Sequence, residues 1–218
     1  MKKINTLILG AALLAFVGCN HGAKHEETQT RTKDSVATVA EETTSEEAAM
    51  DSAAMAKVWE SYSTPGEMHK WMASTDGKWS AEMNFWAAPD QPAGPSEKSV
   101  VESKMILGGR YQQSIYKGKM MGMDFEGYNT LAYDNAKKKF MSTWIDNTGT
   151  GLMYMEGPYD EATKTVKLEG TTVDPSTGKD YEMREEMKII DDKTQLMTMY
   201  TKKNGKEFKS MEIRMTKN

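Results

Sequence analysis

From Gly77 to the C-terminus, apolar and polar residues alternate with period two, and turn chemistry breaks the alternation at roughly 10- to 15-residue spacing. In KWSAEMNFW, Trp79, Ala81, Met83 and Phe85 fall on one face and Lys78, Ser80, Glu82 and Asn84 on the other. Such alternation marks a strand with one buried side. The pattern recurs in SVVESKMIL, RYQQSIYKG, MDFEGYNTLAY, KKFMSTWID, LMYMEG, TVKLEGTTV, DYEMREEMKII, TQLMTMYT and EFKSMEIRM. Between these segments lie APDQPAGPSE, Gly108-Gly109, Asp134-Asn135, NTGTG, DEATK, DPSTGK, DDK and KKNGK. Sequential strands with short connections predict an up-and-down antiparallel sheet of about ten strands. With one face apolar along its whole length, such a sheet is expected to close into a barrel, because closure removes both edges. The predicted class is all-β.

Helical spacing occurs only upstream of the strands. Thr64-Pro65-Gly66-Glu67 reads as a helix start, with Thr64 as cap, Pro65 at the first helical position and Glu67 completing a capping box. This short helix is expected to end at Asp76-Gly77. Further upstream, Met55, Val58, Trp59 and Tyr62 have a spacing compatible with a helix over 45–62.

The chain opens MKKINTLILGAALLAFVGC, a basic start followed by an apolar run too short to span a bilayer of about 30 Å. Residues 1–18 are read as a secretory signal. Phe16-Val17-Gly18-Cys19 resembles a lipobox, with Phe16 where Leu is usual, and this resemblance implies that Cys19 is lipidated and becomes the mature N-terminus. Cys19 is the only cysteine, so an intramolecular disulfide is impossible. Asn20 follows it in place of the aspartate that retains many lipoproteins in the inner membrane, which favours the outer membrane of the cell envelope.

Charge separates the next two regions. Residues 26–60 hold nine acidic and three basic side chains, whereas residues 61–218 hold 23 and 22. The division expected is a lipidated, acidic, flexible tether over 19–60 and a nearly neutral barrel domain over 61–218. No basic stripe exists, which argues against nucleic acid as a partner.

Candidate chemistry is sparse. Of the three histidines, His21 and His25 lie in the tether, leaving His69 as the only imidazole of the barrel domain. Zinc sites built from several His and Cys ligands are excluded, and a Ser-His-Asp triad would need His69 as its base with no nucleophile motif beside it. His69 is expected to be partly exposed and hydrogen-bonded near the helix C-terminus. Asp124, Glu126, Asp134 and Asp146 cluster in one hairpin, where turn and strand-end carboxylates ordinarily accept backbone N–H bonds. Acid–base work would require one of them to be buried with a raised pKa. Sixteen of the 19 methionines follow residue 60, and Met120-Met121-Gly122-Met123, Met153-x-Met155 and Met197-x-Met199 invite comparison with copper(I) sites. Their strand spacing equally suits an adaptable core or pocket wall, the reading adopted here. No metal and no cofactor is expected.

The order "PGEMHKW", "GKW", "LGGRYQQSIYKG", "MGMDFEGYNTLAYDNAKKKFMSTWIDNTGTG", "GPYD" and "DPSTGK" resembles the bacterial family catalogued as domain of unknown function 1579 over about residues 60–216. Ala132 stands where that pattern carries a glycine before Tyr133-Asp134-Asn135. The resemblance implies a calycin-like barrel and no established activity. Helix, Gly77-Lys78-Trp79 and the strand series are also similar to lipocalin-like barrels, which implies that Trp79 closes the floor and that Arg214 of the last strand lies across it. Haem-binding barrels of this architecture use a histidine on a late strand, and none is present.

Barrels of this size leave room for one small molecule. A small apolar or amphipathic ligand is therefore expected inside, walled by Trp79, Met83, Phe85, Phe125, Phe140 and Trp144, with Arg110 orienting a carboxylate or carbonyl. The alternatives are a non-enzymatic interaction module of an envelope complex and, third, an uncharacterised hydrolase or isomerase.

Overall fold

The computed structural model describes residues 51–203 and 205–218. The expected secretory signal over 1–18, Cys19 and residues 45–50 of the helix expected over 45–62 lie outside the described residues. Alternation becomes pairing in β1 (Gly77–Phe85), β2 (Glu97–Ile106), β3 (Tyr111–Met120), β4 (Met123–Asp134) and β5 (Lys139–Asp146). The series continues through β6 (Met153–Gly157), β7 (Tyr159–Asp160), β8 (Thr165–Asp174), β9 (Lys179–Asp191), β10 (Thr194–Lys203) and β11 (Lys206–Lys217). β1 to β6 and β8 to β11 each pair antiparallel with the next strand in sequence, β1 pairs with β11, and β6 pairs with β8. The result is a closed, ten-stranded antiparallel barrel.

The eleventh strand is a consequence of proline. β6 and β7 lie along the same edge of β8, Tyr154 opposite Thr171 and Tyr159 opposite Val166. Pro158 has no N–H to contribute, so one strand is broken in two, although its carbonyl still accepts from Lys167 N at 3.0 Å. At this seam the backbones approach so closely that a Cβ on Gly157 would sit 1.9 Å from the Lys167 carbonyl oxygen. Only glycine fits there.

Inward and outward residues follow the predicted phase. Trp79, Ala81 and Met83 are buried on β1 while Lys78, Ser80 and Glu82 are exposed, and Phe140 and Ser142 are buried on β5 while Ile145 is exposed. The interior forms two apolar clusters. One holds Trp79, Ala81, Met83, Val101, Tyr116, Phe125, Ile213 and Met215. The other holds Met72, Leu131, Phe140, Met155, Val166, Leu168 and Met199. The hairpin at Tyr133-Asp134-Asn135 forms with alanine at 132: Ala132 is buried in register between Tyr111 and Met141, and Asp134 Oδ1 accepts from Ala136 N at 2.7 Å and Lys137 N at 2.9 Å.

Two helices precede β1. α1 (Ser52–Ser63) is capped by Asp51 and buries none of its residues. α2 (Glu67–Ala73) starts later than the capping-box reading placed it, with Gly66 as N-cap. Thr64 is unavailable because it ends α1 instead, its Oγ1 donating to Glu60 O at 2.6 Å. The reciprocal partner expected of Glu67 is His69, whose Nδ1 accepts the Gly66 N–H at 3.0 Å. His69 is accordingly buried in the first turn, not half-exposed near the last.

α2 packs against β2, β3 and β4 at the barrel end where β1 begins. Gln112 of β3 reaches up to it, donating from Nε2 to Met72 O at 2.7 Å and to Asp76 Oδ1 at 2.9 Å. The other Asp76 oxygen accepts Met105 N at 2.9 Å, and Trp79 Nε1 donates to Thr75 O at 2.9 Å. Carbonyls left open at a short helix's end and an indole N–H buried beneath them satisfy one another. This end is a plug.

Candidate functional site

Between the two apolar clusters lies a cavity of about 270 Å³. It extends from Trp71 and Thr75 beneath α2 to Phe85, Met120 and Thr148 toward the opposite end. Its wall is mainly methionine and aromatic: Met83, Met120, Met153, Met187, Met197, Met199, Met211 and Met215 with Phe85, Phe125, Tyr116 and Trp144. Unbranched thioether side chains make a wall that adapts to shape.

Of the expected wall residues, Met83, Phe85, Phe125 and Trp144 line the cavity. Trp79 and Phe140 do not. Trp79 is sealed in the floor, and Phe140 is enclosed by Trp71, Tyr133 and Tyr159, with ring centroids at 5.4, 5.0 and 6.4 Å. Trp144 stacks on Phe125 at 6.3 Å, meets Tyr116 edge-on at 5.1 Å, and donates from Nε1 to Asp146 at 2.6 Å. Its indole lies across Gly127 of the neighbouring strand, where an added Cβ would come within 2.5 Å of the ring.

Two expected roles are corrected by position. Arg110 is exposed outside the barrel, its guanidinium donating to Leu107 O at 3.2 Å, and is not among the cavity residues. Its charge acts on His69 instead: burial first, and then Arg110, hold the His69 pKa below the ordinary imidazole value. Arg214 is exposed on the outer face opposite Glu82, in the outward phase of β11. The cation over Trp79 is Lys217, with Nζ 5.2 Å from the ring centre, paired directly opposite Trp79 in the β1–β11 register.

The hairpin carboxylates are held in conventional pairs. Asp124 meets Lys119 at 2.9 Å, Glu126 meets Lys117 at 3.1 Å, and Asp134 caps its turn. Asp146 reaches the cavity but accepts from Trp144 and Thr148, and its pKa lies below the ordinary carboxylate value even though burial opposes this. Among the described residues, no group of three or more His, Cys, Asp or Glu is arranged to hold a metal ion.

The carboxyl that differs is Glu185, which the sequence reading passed over. It is 3 % exposed, lines the cavity, and has no hydrogen bond to its side chain from any described residue. Burial alone pushes its pKa up to about 7. The same burial, and secondarily the Glu185 charge, raise the pKa of the Tyr116 phenol, which also faces the cavity. The alternation Tyr181, Met183, Glu185, Met187, Ile189 along β9 carried the signal, because it sets Glu185 in the apolar phase.

With this fold and interior in place, a family model described as "Protein of unknown function (DUF1579)" matches residues 64–217. The chain belongs to this family. The match begins at the linker between α1 and α2 and ends with β11, so the family unit is the plugged barrel. No curated protein matches the chain.

Proposed function

We propose that the domain is a lipid-anchored envelope barrel that binds a small apolar or amphipathic molecule in its interior. The observation that carries this reading is the cavity: about 270 Å³ of space walled by methionine and aromatic side chains. That volume is close to the lower end of the roughly 300–1,000 Å³ usual for small-molecule pockets. Well-packed interiors hold few voids larger than a water molecule, so space of this size in a domain with a sealed floor supports an occupant. In this reading the anchor at Cys19 and the acidic tether hold the barrel at the envelope, in the outer membrane.

Two measurements test the proposal. Native mass spectrometry of the protein from its own envelope is expected to show a bound mass lost on denaturation. Small aromatic or aliphatic compounds are expected to quench tryptophan emission saturably, with Trp71 and Trp144 the responding indoles because these two of the five tryptophans line the cavity. No adduct and no saturable quenching would overturn it. Cys19→Ser is expected to abolish palmitate incorporation; continued labelling would remove the anchor from the proposal.

A second reading, an interaction module, draws on α1. Met55, Val58, Trp59 and Tyr62 of that helix are all exposed, with Trp59 at 60 %. Failure of the ligand measurements together with loss of a co-purifying protein in Trp59→Ser would favour it.

A further inference from the structure

Pockets pair apolar walls with a few polar groups that orient the ligand, and the polar group here differs in sign from the one anticipated. Arg110 lies outside the barrel, whereas Glu185 is inside it. On its own strand Glu185 is flanked within the inward phase by Met183 and Met187, and across the strand pairs it faces Leu168 of β8 and Met199 of β10. None of these donates a hydrogen bond. Its chain neighbours Arg184 and Glu186 pair with each other on the outer face. The other charged or titratable side chains of the cavity are Tyr116, Asp146 and Lys188. Asp146 is engaged by Trp144 and Thr148, and Lys188 is exposed.

We propose that Glu185 makes the cavity selective for a small apolar amine, the ammonium held by the Glu185 carboxylate and the hydrocarbon part lying among the methionines and aromatics. The inference rests on the interior-binding reading above. A carboxylate flanked by Met183, Met187, Leu168 and Met199 is costly to ionise, and an ammonium group supplies a countercharge and hydrogen bonds that these neighbours do not. An anionic ligand would instead enter beside two carboxylates and one exposed lysine. Because Glu185 titrates near 7, amine binding is expected to require its ionised form, while Tyr116 stays protonated and Asp146 stays ionised in the same range.

The test is calorimetric titration of the full chain with phenethylamine, phenethyl alcohol and phenylacetic acid, which share one aromatic skeleton. The amine is expected to bind most tightly at pH 8 and about tenfold more weakly at pH 6, as the ionised fraction of a group titrating near 7 falls. The alcohol is expected to show no such change. Glu185→Gln is expected to bring the amine down to the alcohol's affinity and to remove its pH dependence, with alcohol binding retained as proof of an intact cavity. Binding by none of the three would overturn the interior-binding reading itself. Equal binding of amine and acid at pH 8, or an amine preference that survives in Glu185→Gln, would overturn the role of Glu185 and leave the cavity standing.

Discussion

Gln112 and Glu185 are almost equally buried, at 5 % and 3 % exposure, yet they sit in opposite situations. Gln112 belongs to the plugged end, where the last turn of α2 offers the Met72 carbonyl and Asp76 offers a carboxylate, and its amide hydrogens go to both. Glu185 belongs to the middle of the wall, and its cross-strand neighbours Leu168 and Met199 offer it no hydrogen bond. A buried polar group left without a partner costs about 1–3 kcal/mol, and more when charged. The plug therefore repays its polar burial within the fold, and the wall does not. A group of the second kind points to something outside the chain's own contacts, which is why the functional proposal is built on the wall.

The largest expected effect lies at the plug. Trp79 is fully buried, with its N–H committed to Thr75 O. Trp79→Ala is expected to cost ~3–5 kcal/mol in denaturant unfolding. Trp144→Ala, on the wall of an existing cavity, is expected to cost clearly less because its removal enlarges a space already present. Equal losses would mean that the two ends are equally well packed.

Next in size is the pH dependence of Glu185. Its folded pKa of about 7 lies above the ordinary 4.5, so the folded state binds this proton more tightly than the unfolded state. The contribution is fully present below about pH 4.5 and is lost as pH rises through about 7. Between these limits the protein is expected to lose on the order of 3 kcal/mol relative to Glu185→Gln, which cannot ionise. His69 has the opposite sign: its lowered pKa gives stability that is present above its ordinary 6.5 and lost as pH falls through the folded value. Subtracting the Glu185→Gln curve from that of the native chain cancels the His69 contribution. A flat difference curve would place water or a donor at the Glu185 carboxyl and erase the contrast with Gln112.

Gln112→Leu sharpens the plug side at a smaller scale. The change keeps the volume but removes one of the donors to Met72 O, which keeps those of Thr75, and the donor to one Asp76 oxygen, and is expected to cost about 1–3 kcal/mol. The loss is expected to be insensitive to the ligands that respond to Glu185→Gln. If it abolished their binding while the fold survived, Gln112, which lines the cavity together with Trp71, would be a ligand contact and not only a support for α2.

Strands were legible because period-two alternation is enforced by burial on one side only, and here the outer side is richly charged. β6 and β8 show the limit: their seam depends on how closely two backbones cross, and no local pattern encodes that distance. Site residues were legible to the extent that inward phase suffices. Met83, Phe85, Phe125 and Trp144 line the cavity, yet Trp79 and Phe140 have the same phase and are sealed. The difference is height along the barrel, because α2 occupies the end at which Trp79 and Phe140 lie. Glu185 was readable by phase but was overshadowed by the hairpin carboxylates, whose turn partners neutralise their chemical interest.

The smallest expected effect concerns the cation over Trp79. Arg214 was assigned by its place in the last strand, but Met211, Ile213 and Met215 fix the inward phase of β11, so Arg214 must face out. Lys217 shares the inward phase and lies opposite Trp79, at the strand's exposed end, where a long side chain can bend back over the ring. A cation over an aromatic face at an exposed site is worth about 0.5–1 kcal/mol. Lys217→Ala is expected to cost about that much, and Arg214→Ala to be within about 0.5 kcal/mol of neutral, as exposed substitutions usually are. In double-mutant cycles with Trp79→Leu, the Lys217 cycle should show coupling and the Arg214 cycle none. Coupling to Arg214 alone would restore the lipocalin-like closure and displace Lys217 from the floor; coupling to neither would mean that Trp79 is held by the Thr75 carbonyl and its apolar neighbours without help from any cation.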